Sequence, residues 1–89
     1  MRLHVIVRGR VQGVGFRWFV AEIARELGVA GWVRNRTDGT VEVAAEGDDR
    51  SIDGLRGRLA NGPPGAVVRS VDDAGPVSEP LVKPFTIAR

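Results

Sequence analysis

An α+β sandwich, with two helices on one face of an antiparallel sheet, is the fold class the sequence predicts for its 89 residues. Three observations predict it. Apolar residues alternate at period two in some stretches and recur at three- and four-residue spacing in others, and these patterns follow one another in the order β-α-β-β-α-β. Asp38-Gly39 sits between the two middle strands, where a tight hairpin belongs. The length suits one domain around one core, so residues 1–89 are taken as a single unit.

Taken in order, Leu3-His4-Val5-Ile6-Val7-Arg8 carries Leu3, Val5 and Val7 on one face and reads as a strand reaching about Arg10. From Arg17 to Leu27 the period changes. Phe16, Val20, Ile23, Ala24 and Leu27 form an amphipathic helical stripe, and Gly28 stands where a C-terminal cap belongs. Gly31 to Arg36 and Thr40 to Glu46 are the next two strands, the second with Val41, Val43 and Ala45 inward. Asp48 or Asp49 caps a second helix with the stripe Ile52, Leu55 and Leu59. Gly54 and Gly57 weaken that helix, each by up to about 1 kcal/mol relative to alanine. Asn61-Gly62-Pro63-Pro64-Gly65 stops it, Val67 to Val71 is a fourth strand, and Phe85 and Ile87 alternate in a short closing strand. The order is that of a ferredoxin-like split βαβ sandwich, βαββαβ plus a short C-terminal strand. Such a fold hosts many activities and names none of them.

Composition narrows the classes. There is no cysteine, which excludes a disulfide framework, a thiolate nucleophile and a cysteine-ligated metal, and fits a reducing cytoplasm. No apolar run approaches the roughly 20 residues of a membrane span, and a strand pattern follows directly on Met1, which leaves no room for a signal peptide. A cytoplasmic monomer is the expectation. Net charge is only +2, from 13 Lys plus Arg against 11 Asp plus Glu, and the high pI of about 10.4 reflects a basic set that is all arginine except Lys83. The arginines are spread out, with small clusters at Arg8, Arg10 and Arg17 and at Arg34 and Arg36 that read by default as solvated surface. An RNA-binding module shares the element order and stacks bases on aromatics of its first and third strands; here those strands contain none. No nucleic-acid partner is expected.

The segment Gly9-Arg10-Val11-Gln12-Gly13-Val14-Gly15-Phe16-Arg17 is odd for a plain connection. A helix entering near Phe16 needs a Ser, Thr, Asp or Asn cap, and positions 12 to 16 offer none. Arg17 also puts a cation where the helix dipole is positive. Both oddities disappear if an anion sits there. Free amides then point at it, Gly13 and Gly15 let successive amides curl into a nest, and the planar fork of Arg17 takes two phosphate oxygens. On spacing alone the plain-turn reading, with Arg17 in solvent, has a slight edge, because glycine-rich loops are common. The loop lacks the Gly-Lys-Ser/Thr ending of a P-loop, and Trp18 stands at the third glycine of a dinucleotide fingerprint, so the anion would be a small phosphoryl group.

Val7-Arg8-Gly9-Arg10-Val11-Gln12-Gly13-Val14-Gly15-Phe16-Arg17 closely resembles the first acylphosphatase signature. Gly31-Trp32-Val33-Arg34-Asn35-Arg36-Thr37-Asp38-Gly39-Thr40-Val41, with Gly47 six residues on, resembles the second. Both are complete, and the likeness runs nearly the whole length. The resemblance implies hydrolysis of acyl phosphates to carboxylate and inorganic phosphate, without cofactor or metal, with phosphate as product and competitive inhibitor. It implies that Arg17 and the main-chain amides of Gln12, Gly13, Val14, Gly15, Phe16 and Arg17 bind the phosphate, and that Asn35 orients the attacking water. The residues alone would leave Asn35 as a turn residue. Acylphosphatase-like domains also occur at the N-terminus of much longer hydrogenase-maturation carbamoyltransferases; ending at Arg89, the chain is expected to be the free-standing enzyme.

The missing chemistry is consistent with that expectation. The only histidine, His4, lies far along its strand from the loop, and there is no Gly-x-Ser-x-Gly elbow, so no nucleophile–base pair suggests a covalent route. Asp48-Asp49 and Asp72-Asp73 are neighbours whose side chains diverge, which suits caps and turns better than metal binding. Trp18, Phe19 and Trp32 read as core or rim packing, with contact to an acyl group as the alternative for the two tryptophans.

Overall fold

The computed structural model describes residues 1–88. Its elements run β1 (Arg2–Arg10), α1 (Phe16–Leu27), β2 (Ala30–Asn35), β3 (Val41–Glu46), α2 (Asp49–Asn61), β4 (Val67–Asp73) and β5 (Thr86–Ile87). The sheet order is β4-β1-β3-β2-β5. Four strands pair antiparallel as expected, but β5 runs parallel to β2, with Trp32 opposite Thr86 and Val33 opposite Ile87. The expectation of a wholly antiparallel sheet fails at that edge. The chain between β4 and β5 crosses to the far side of the sheet, so β5 can lie down in the direction of β2.

Period-two alternation divides the sheet into two faces. Leu3, Val5, Val7, Val33, Val41, Val43 and Ala45 meet Phe16, Val20, Ile23, Ala24, Ile52, Leu55, Leu59 and Phe85 in one core between sheet and helices. Gly28, at φ 72°, closes α1, and Asp48 caps α2 by accepting a hydrogen bond from the Ser51 amide at 2.7 Å. Although α2 contains Gly54 and Gly57, full burial of Ile52, Leu55 and Leu59 compensates for their low helix propensity.

The other face is not bare. Ala30, Ala44 and Leu81 form a second small cluster, with Trp32 and Val77 packed against it. On the same face Glu42 is 6% exposed, with Oε2 accepting a hydrogen bond from His4 Nε2 at 2.6 Å and Oε1 accepting from Arg34 at 2.8 Å. Burial by itself pushes the Glu42 carboxyl up, but the hydrogen bonds from His4 and Arg34 outweigh it and leave the group below its ordinary value. A carboxylate depressed in the folded state stabilises the fold above its unfolded pKa, and that contribution is lost as pH falls through the folded value. Glu42→Gln is therefore expected to lower stability at pH 7 by about 1.5–3 kcal/mol, the range for hydrogen bonds to charged groups. The gap to the wild type should close below roughly pH 4. Urea melts at a series of pH values read this directly, and a gap independent of pH would assign the loss to packing.

Candidate active site

Helix α1 begins as the sequence suggested, without a side-chain cap and without an acidic residue in its first turn. Its N-cap is Gly15, in the left-handed region at φ 74°, and Gly13 is there too at φ 76°. A side chain at either position would strain the backbone by about 1–2 kcal/mol, although a Cβ would meet nothing within 4 Å. The glycines are thus required by conformation, not by crowding. The first loop amide to find a carbonyl is that of Phe19, which donates to Gly15 O at 3.0 Å; among the described residues, those from Gln12 to Trp18 find none. Seven successive amide positions without protein acceptors, curved by two left-handed glycines, make the concave N–H surface that suits an anion.

Asn35 ends β2 on the same face as the core, because it shares the parity of Val33. The cross-sheet register brings it to the loop: Val41 of β3 lies opposite Val7 of β1 on one side and opposite Asn35 on the other. Two interstrand spacings, about 10 Å, therefore separate the ends of β1 and β2, and the loop must lean over the start of β3 to meet Asn35. The side chain of Gln12 fastens it there. Its Nε2 donates to Arg36 O at 2.8 Å and to Thr40 O at 2.9 Å, the carbonyls on either side of the β2–β3 hairpin. The hairpin is itself braced, because Asp38 Oδ1 accepts from the Thr40 amide at 3.0 Å and the Thr40 hydroxyl at 2.6 Å. The Thr40 hydroxyl, followed by its amide, holds the Asp38 carboxyl below its ordinary value. Sequence reasoning assigned Gln12 a main-chain role and missed its side chain. A polar side chain flanked by Val11 and Gly13, in a loop that must be anchored, was the available signal.

The result is a cavity of about 160 Å3 bounded by Val11, Gly13, Gly15, Phe16, Arg17, Trp18 and Asn35. It lies below the roughly 300 Å3 at which pockets for drug-sized ligands begin. A phosphoryl group is of the right order for it, and a nucleotide is not. Asn35 Oδ1 is buried with no hydrogen-bond partner among the described residues. Buried polar atoms in folded proteins nearly always have partners, so an orphaned acceptor on a cavity wall requires an explanation. The arginines divide in the same way. Arg8 pairs with Asp72, Arg34 with Glu42 and Arg36 with Asp38, as surface clusters would, but Arg17 makes no ion pair among the described residues and its hydrogen-bonding groups have no protein acceptor there. Among those residues no group of three or more His, Asp or Glu side chains converges.

The acylphosphatase family model matches residues 3–87. This chain belongs to the acylphosphatase family. An acylphosphatase of Thermococcus kodakarensis is 53% identical over 72 residues, covering 81% of this chain and 79% of that one. The structure of an acylphosphatase from Coxiella burnetii superposes with a TM-score of 0.88 at 41% identity, over 98% of this chain and 90% of that one. The acylphosphatase structure from Bacillus subtilis gives 0.84 at 39% identity, over 99% and 98%. Those likenesses carry the ferredoxin-like α+β architecture as well as the family.

Both signature segments of this acylphosphatase-family chain thus line one cavity, although most of α1 separates them in sequence. Of the two tryptophans, Trp18 borders the cavity and is 70% exposed. Trp32 does not reach it. It lies three residues before Asn35, hence on the opposite face of β2, where the Arg34 guanidinium sits 4.9 Å from its ring centre. No helix of the described residues is long and apolar enough to cross a membrane.

Proposed function

We propose that this acylphosphatase-family hydrolase cleaves acyl phosphates to carboxylate and inorganic phosphate by direct in-line attack of water, as a cytoplasmic monomer that needs no metal. The observation that carries the reading is the meeting, in one small cavity, of an uncapped helix start, Arg17 and Asn35, with no partner for Arg17 or for Asn35 Oδ1 among the described residues. The amides from Gln12 to Arg17 hold the phosphoryl oxygens, and the fork of Arg17 takes two of them. Asn35 Oδ1 accepts a proton of the water in a hydrogen bond and so aims a lone pair at phosphorus. The new P–O bond forms as the bond to the acyl oxygen breaks, and the electron pair of that bond leaves with the carboxylate. The water's proton passes to a phosphoryl oxygen, giving inorganic phosphate.

This chemistry suits the available groups. Carboxylate is stable as an anion, so the leaving group needs no general acid. Phosphoryl transfer through a loose transition state asks mainly for positioning and for charge stabilisation. Inorganic phosphate, as the product left in the cradle, inhibits competitively. The sheet face used by RNA-binding modules of this element order is here covered around Ala44 by Leu81 and Val77, which favours the small-molecule reading.

Hydrolysis of benzoyl phosphate, followed with and without excess chelator, tests the proposal. Turnover is expected to be the same in both, and phosphate monoesters, with poorer leaving groups, should be turned over far more slowly. A requirement for added magnesium or zinc would overturn the metal-free route.

A further inference from the structure

The cradle is too small for the acyl part of a substrate, which must emerge through its mouth. Arg17 and Trp18 line that mouth, and the same two residues line a second, larger depression of about 510 Å3 together with Arg25, Thr86 and Ile87. One wall is the outer side of α1 and the other is β5. The parallel pairing of β5 with β2, extended by the Ala88 amide donating to Val33 O at 2.8 Å, fixes that second wall to the strand that ends in Asn35. The groove thus adjoins the cavity through Arg17 and Trp18 and is held by the same sheet.

Among the described residues its lining contains no carboxylate and two guanidinium groups. Arg17 faces the cradle. Arg25 lies eight residues further along α1, about 12 Å of helical rise. Its Nε donates to Phe85 O at 2.9 Å, which orients the guanidinium towards β5, and among the described residues it has no carboxylate partner. An oriented arginine whose terminal amino groups lack partners among the described residues, in a groove that adjoins the proposed phosphate cradle, is suited to a second anion. The exposed ring of Trp18 lines the same groove and gives it an apolar surface.

Resting on the function proposed above, we infer that the groove between α1 and β5 is the acyl subsite, and that Arg25 selects acyl phosphates carrying a second anionic group at the far end of the acyl chain. Trp18 supports the carbon skeleton between the two ends. Arg25 is a specificity residue, since it touches no reacting atom.

Rigid aryl substrates test this. Benzoyl, 4-methylbenzoyl, 4-carboxybenzoyl and 4-phosphonobenzoyl phosphate present the same scissile bond with neutral or anionic far ends. In the wild type the two anionic substrates should have the lower KM, and their advantage should shrink as ionic strength rises. Arg25→Gln should reduce the preference for 4-carboxybenzoyl over 4-methylbenzoyl phosphate by about tenfold, carried by KM and not by kcat. Taking the ratio of substrates within each protein cancels differences in intrinsic reactivity. Arg25→Lys should recover part of the preference. Whichever of the carboxylate and phosphonate loses more in Arg25→Gln identifies the anion class the subsite fits. If Arg25→Gln does not fold, the salt dependence in the wild type and the Arg25→Lys ratio still decide. A preference that is absent in the wild type, or that Arg25→Gln leaves unchanged, overturns the inference and leaves the hydrolase reading standing. Failure of the wild type to hydrolyse any of the four overturns both.

Discussion

Arg17→Lys is expected to reduce kcat/KM for an acyl phosphate by roughly 10²–10³-fold, the scale on which loss of one preorganised donor to a transition-state oxyanion is felt. It should also remove competitive inhibition by inorganic phosphate in the useful range. The substitution keeps the positive charge, so an effect of this size would report geometry. A guanidinium presents two parallel N–H groups to two phosphoryl oxygens, whereas an ammonium offers a single strongly hydrated point charge. Arg17 has no ion-pair partner among the described residues, and it occupies the first turn of α1, where a cation is unfavourable without an anion nearby. Thermal stability should therefore change little, by about 0.5 kcal/mol or less. A variant that keeps near-normal turnover would show that Arg17 points to solvent and that the loop is only a turn.

Asn35→Ala should give a different signature. Turnover is expected to fall by roughly a hundredfold or more, while the inhibition constant for phosphate stays close to the wild-type value, because the cradle itself is untouched. Stability supplies a second, independent readout. The buried Oδ1 of Asn35 has no partner among the described residues, and a buried unsatisfied polar group costs about 1–3 kcal/mol. Its removal should leave the melting temperature unchanged or raise it. Loss of activity with no loss of stability is the mark of a group kept for chemistry. If Asn35→Ala instead melts markedly earlier and a refolded sample turns over normally, the residue belongs to the hairpin and the water-placing role is wrong. The two variants together separate holding the phosphate from placing the water, and each needs a melt beside its kinetics.

Much of the site was legible because its signals are local. The absent cap before Phe16, the glycines at positions 13 and 15 and the cation at Arg17 lie within a few residues of one another, and each breaks a rule of ordinary helix starts. The alternative of an acyl contact for Trp32 fails on parity: Trp32 and Asn35 differ by three positions in one strand, so they face opposite ways, and Trp32 does not line the cavity. Asn35 was not legible as a candidate site residue from its neighbours, because an asparagine beside a hairpin has an adequate local explanation. Its orphaned acceptor exists only in three dimensions.

Local pattern carried the order of strands and helices, the core stripes of β1, α1, β3 and α2, the caps at Gly28 and Asp48, and a glycine loop before α1 without a side-chain cap. These follow from side-chain period and from backbone conformational cost, which act over a handful of residues. Only the tertiary structure decided that β3 lies between β1 and β2, so that Gln12 can bridge to Arg36 and Thr40 and bring the loop over Asn35. It alone decided that β5 runs parallel to β2 and walls a groove against Trp18 and Arg25. Strand neighbours are chosen by which apolar faces can be buried together across long stretches of chain. That choice is a property of the whole core, and no local window of the sequence contains it.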